Sequence, residues 1–152
     1  MEDGLPAGFD EAQEEFERPV VEQLVTRKFR DAAFAGAVKL AYGDRCAITG
    51  NRFINGGGRA EVQAAHIRPV AANGPDSVRN GMALSGTVHW LFDRGLVSVA
   101  DDHTILIAHR FLPEGTRGLV NGTGRLLPPE RPELQPHPTF LRHHREHVFK
   151  GE

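Results

Sequence analysis

Turn-forming residues punctuate the middle of this chain so closely that only short elements fit between them. Asn55-Gly56-Gly57-Gly58 opens the stretch, Pro69 and Asn73-Gly74-Pro75-Asp76 interrupt it, and Gly95 closes it. Glycine admits left-handed backbone and proline removes a ladder donor, so each cluster marks a turn. The apolar pieces left over are Ala60 to Ile67 and Met82-Ala83-Leu84, which suit two short strands. Gly86 and Thr87 then open a helix of about two turns through Val88, Trp90, Leu91 and Phe92, with Gly95 at the left-handed position past its end. The prediction is strand, loop, strand, short helix.

The flanks read as helices and a hairpin. From Pro19 the apolar residues Val20, Val21, Leu24 and Val25, then Phe29, Ala33, Phe34, Ala37, Val38 and Ala41, keep helical spacing up to Gly43. Pro19 suits a first turn and Asp31 could cap a new start near Ala32, so two short helices are expected in preference to one bent helix. Leu96 to Val99 and Thr104 to Ala108 form a hairpin around Asp101-Asp102, and residues 113–138, rich in Gly and Pro, form an irregular wrap. Pro138 to Phe149 closes the chain as a helix whose buried stripe is Phe140, Leu141, His144, Val148 and Phe149. The fold class is α+β, in one domain over residues 19–152 preceded by an acidic flexible tail or linker over residues 1–18.

Composition narrows the function. The 152 residues lack an apolar run of membrane length and lack a secretory leader, so a cytoplasmic protein without membrane contact is expected. Cys46 stands alone, which excludes an internal disulfide or a Cys-x-x-Cys zinc knuckle and suits a small core residue. The net charge of −2 hides an uneven distribution: residues 1–26 hold eight acids against Arg18, whereas residues 27–152 hold 17 Lys and Arg against 12 Asp and Glu. Fourteen of those 17 cations are arginine, whose planar fork suits phosphate, although composition alone favours an ordinary solvated surface, a reading that a clustered basic face would reverse.

Chemistry concentrates on four residues: His66 at a strand end, Asn80 at a loop exit, and His89 with Asp93 on the short helix. Residues i and i+4 share a helical face, so His89 and Asp93 can direct an imidazole nitrogen and a carboxylate at one divalent cation. Two protein ligands leave open positions, as a catalytic metal needs and a closed structural zinc does not. Phosphodiester cleavage also needs a base for the attacking water, and a neutral histidine titrates in the right range, which nominates His66. Taken singly each residue has a plain structural explanation; the joint pattern overturns those explanations. His143 and His147, four apart on the closing helix, lie among arginines and read as part of a solvated basic face, with phosphate contact as the second reading. The Asp101-Asp102-His103 cluster reads as turn chemistry.

The ordered run Ala64-Ala65-His66-Ile67-x-Pro69, Asn80-Gly81 and His89-x-x-Phe92-Asp93-x-Gly95 resembles the HNH endonuclease superfamily, in its restriction-endonuclease-type branch. The resemblance implies a ββα-metal finger over roughly residues 60–95, with flanking N-terminal helices, a β-hairpin and a C-terminal helix. It implies His66 as the water-activating base, Asn80 as the residue that braces loop and base, and His89 and Asp93 as metal ligands. Mg²⁺ or Mn²⁺ ranks first, with Ni²⁺ or Zn²⁺ admitted by the imidazole. Many members carry Asp or His just before the base as a further ligand, where this chain has Ala65; water or a neighbour such as Gln63 is left to fill that position.

The expected activity is hydrolysis of double-stranded DNA in restriction or defence, with backbone contacts predominating. Site selection is left to a homodimer or an additional specificity domain. Two other readings stay open: a nucleic-acid-binding module whose catalytic site has decayed, and a purely structural finger that acts through its acidic tail.

Overall fold

The computed structural model describes the backbone of residues 11–152 and the side chains from Thr26 onward. Helix α1 (Glu11–Ala41) is a single helix, which corrects the expected pair of short ones. Asp31 caps nothing; it accepts an ion pair from Arg27 at 2.8 Å, one turn back, and so supports the helix interior. Residues 11–18, expected in the flexible tail, are helical, consistent with the Glu, Ala and Gln that fill them. The remainder of that tail, residues 1–10, lies outside the described residues. The part of α1 up to Ala33 forms one unit, and residues 34–152 form a second, which carries everything below.

Within the second unit, β1 (Gln63–His66) pairs antiparallel with β2 (Gly81–Leu84), setting Ala65 opposite Met82 and His66 opposite Gly81. The first strand is shorter than Ala60 to Ile67 because Ala60 makes only an isolated bridge to Ile54. The connecting loop is folded by short 3-10 turns at Val70–Ala72 and Val78–Asn80. Helix α2 (Gly86–Asp93) follows; Ser85 gives it no side-chain cap, and instead the Glu61 carboxylate accepts from the Gly86 amide at 2.9 Å. Gly95 then turns the chain at φ 72°. A Cβ there would lie 1.9 Å from the Val148 carbonyl oxygen, so only glycine allows this close approach.

The hairpin of β3 (Val97–Val99) and β4 (Ile105–Ile107) packs beside α3 (Pro138–His147). The Gly- and Pro-rich stretch between them is irregular but anchored: Leu126 is buried, and the Leu127 amide donates to Ala47 O at 2.8 Å. On α3 Leu141 and His144 are buried and Phe140 is partly covered, while Val148 and Phe149, expected on the helix, lie past its end at His147 and are also only partly covered. The core joins both sheets to α2 through Ile48, Ala65, Met82, Leu84, Phe92 and Val99, and Cys46 is buried among them. The last turns of α1 lie directly on β2: Tyr42 OH donates to Gly81 O at 3.0 Å, and Val38 is fully buried. The architecture is α+β, with the strand-loop-strand-helix unit at its centre. No helix among the described residues is long and apolar enough to cross a membrane.

Candidate active site

Strand alternation sorts the residues around the base candidate. Ala65 points into the core with no exposure, so its neighbours Ala64 and His66 face the other way. There they line a cavity of about 320 Å³ together with His89 and Asp93 from α2 and His144 and Val148 from the C-terminal region. Three of the four residues singled out in the sequence thus meet on one cavity.

Asn80 does not line the cavity. It is fully buried behind it, and its carboxamide is satisfied at both ends. Oδ1 accepts from the Arg68 amide at 2.8 Å, while Nδ2 donates to Arg68 O at 3.1 Å and to Pro75 O at 3.0 Å. One side chain therefore ties the two ends of the β1–β2 loop together.

His66 is held on two sides. Its Nε2 lies 2.9 Å from Asp76 Oδ1, and its ring stacks on Phe34 with centroids 4.0 Å apart and planes 10° from parallel. Neither neighbour was singled out in the sequence. Asp76 was legible only as turn chemistry, and Phe34 only as part of a helical stripe.

On α2, His89 Nε2 lies 3.1 Å from Asp93 Oδ2, one helical turn apart. His89 Nδ1 lies 2.7 Å from Gln63 Oε1, an oxygen that only accepts, so Nδ1 carries the hydrogen. That leaves the Nε2 lone pair facing a carboxylate oxygen, an arrangement completed by a positive charge between them. A small octahedral cation with donors at about 2.1 Å places adjacent donors roughly 3 Å apart. The pair therefore fits a divalent metal. Among the described residues no set of three or more His, Cys, Asp or Glu side chains converges, so such a metal would keep positions open for oxygen atoms of other origin. Gln63 is turned toward His89 as a support for the imidazole. The rings of His143 and His147 approach to 4.6 Å without a third partner of those types.

His144 is the fourth titratable side chain on the cavity, and it is 2 % exposed. Phe92 O only accepts, so His144 Nε2 donates to it at 2.9 Å, and Nδ1 in turn accepts from the Ser98 hydroxyl at 2.7 Å. Its ring also stacks on Phe92 at 3.8 Å. Burial lowers its pKa to about 4, which keeps it neutral while it pins the last turn of α2. The stripe pattern marked His144 as buried but gave no sign of this role.

Residues 46–100 match a family described as HNH endonuclease. Among solved structures the chain is similar to a modification dependent TagI restriction endonuclease, with a TM-score of 0.58 and 26% identity over 77% of this chain. The chain spans 38% of the length of that protein. Comparison with curated proteins gives no match. The matched segment contains both strands, the loop and α2, and the fold agrees with the match, so residues 46–100 carry an HNH endonuclease-type domain.

Proposed function

We propose that the chain is a divalent-metal-dependent endonuclease that hydrolyses double-stranded DNA in restriction or defence. The observation that carries this reading is the single cavity shared by His66 and the His89–Asp93 pair. His66 takes a proton from water, the resulting hydroxide oxygen attacks phosphorus in line, and the bond from phosphorus to the 3′ oxygen breaks; the departing oxygen is protonated from solvent. His89 and Asp93 would hold Mg²⁺ or Mn²⁺, with Ni²⁺ or Zn²⁺ also accommodated by the imidazole. When bound, the ion supplies stabilisation of the charge developing on the phosphate. Asn80 keeps the loop closed around the base. DNA selection is assigned to a second copy or to an additional module. The similarity to a restriction endonuclease more than twice as long as the stretch matched supports the module.

The test is cleavage of supercoiled plasmid by the wild type and by His66→Ala with Mg²⁺, with Mn²⁺ and with EDTA. Cleavage that requires metal and drops on the order of 100-fold or more in the variant is expected. Equal nicking by both proteins overturns the assignment of His66. A second reading, a DNA-binding module without catalysis, is favoured by the buried Ala65 in the position where many relatives carry a further ligand. Salt-sensitive DNA binding with no cleavage under any divalent metal selects it.

A further inference from the structure

We propose that Asp76 is the positioning residue of His66, fixing the imidazole with its hydrogen on Nε2 so that Nδ1 is the nitrogen that receives the proton from water. This rests on the nuclease reading for its catalytic consequence. Asp76 Oδ1 lies 2.9 Å from His66 Nε2, with the two side chains 23% and 18% exposed, so the contact is largely shielded from water. An ionised carboxylate only accepts, so a neutral ring bonded to it carries its hydrogen on Nε2 and leaves Nδ1 bare. Among the described residues no group bonds to Nδ1. The stacked Phe34 ring restrains the imidazole against turning out of that contact.

The loop is built to deliver the carboxylate. Asn80 Nδ2 holds Pro75 O at 3.0 Å, immediately before Asp76, and holds Arg68 O at 3.1 Å, two residues past His66. Gly74 donates to Pro69 O at 2.9 Å, and a Cβ at Gly74 would lie 1.8 Å from Arg68 O. One carboxamide and one glycine thus set the spacing of acid and base across a ten-residue separation. Metal ligation is an alternative role for such a carboxylate, but Asp76 belongs to no convergent set of three or more potential ligands among the described residues. In the reaction the O–H bond of water breaks, an N–H bond forms at Nδ1, and the hydroxide oxygen bonds to phosphorus. The charge on the imidazolium is then balanced by Asp76.

The experiment uses the full chain labelled with ¹⁵N in histidine, at about pH 8.5, above the usual imidazole range. The wild type is expected to show His66 as the Nε2–H tautomer, and Asp76→Ala to lose that preference while the His144 signals stay in place. In parallel, Asp76→Asn is expected to lower kcat for plasmid cleavage about 100-fold with KM changed less than about twofold. A His66 tautomer that is unchanged in Asp76→Ala, or that is Nδ1–H in the wild type, overturns the proposal. So does a loss confined to KM. A tautomer that responds to Asp76 in a wild type that cleaves no DNA upholds the pairing and overturns the nuclease reading.

Discussion

At the scale of single residues, two of the three histidines on the cavity are treated in opposite ways. His66 is placed against a carboxylate, and His144 is buried away from water against neutral partners, the Ser98 hydroxyl and the Phe92 carbonyl. The second treatment predicts acid sensitivity. The unfolded pKa of His144 is the ordinary 6.5 and the folded value is about 4, so below pH 6.5 the unfolded chain binds a proton that the native protein refuses until about pH 4. Stability contributed by neutral burial is present above 6.5 and is lost as pH falls through that window, by up to about 3 kcal/mol. Urea denaturation from pH 7 to 4 should show this slope. His144→Leu should flatten it and should lie lower at neutral pH, because the Ser98 hydroxyl and Phe92 carbonyl lose their partner. An unchanged slope in the variant assigns the acid sensitivity elsewhere.

At the scale of elements, the end of α1 and strand β2 depend on the absence of a side chain. A Cβ on Gly81 would lie 2.5 Å from Val38 Cγ2 and 2.9 Å from Phe34 Cζ. Both are well packed in the core, so the helix and strand must separate to accept it. Gly81→Ala is expected to cost about 2 kcal/mol in denaturant unfolding, within the usual range for overpacking. Phe34 also stacks on His66, so cleavage by the still-folded variant should fall as well. A variant with wild-type stability and wild-type cleavage would mean that the contact yields at no cost. These elements were partly legible in advance. The strands, α2, the hairpin and α3 follow from apolar spacing between strong turn residues, which act within a few positions of themselves. The continuity of α1 was missed because a cap signal at Asp31 competes with an i,i+4 pair to Arg27, and local chemistry permits both.

At the scale of the whole molecule, the excess of five cations over residues 27–152 predicts binding to DNA that weakens with salt. Measured in EDTA to prevent cleavage, affinity is expected to drop on the order of 10- to 100-fold between 50 and 200 mM salt, corresponding to roughly three neutralised phosphates. Affinity that ignores salt would remove the basic body from the interface. The sequence by itself determined the order of elements, the His89–Asp93 pair and the candidacy of His66 and Asn80. Each depends on residue type and on spacing along one helix or between adjacent turns. Only the tertiary structure decided which groups face them. Asp76 reaches His66 across 10 positions, Gln63 reaches His89 across 26, and Ser98 and Phe92 reach His144 across 46 and 52. Such contacts depend on how loops close and in what register strands pair, and no local propensity encodes either; the path of the β1–β2 loop is what turned a turn-forming aspartate into the partner of His66.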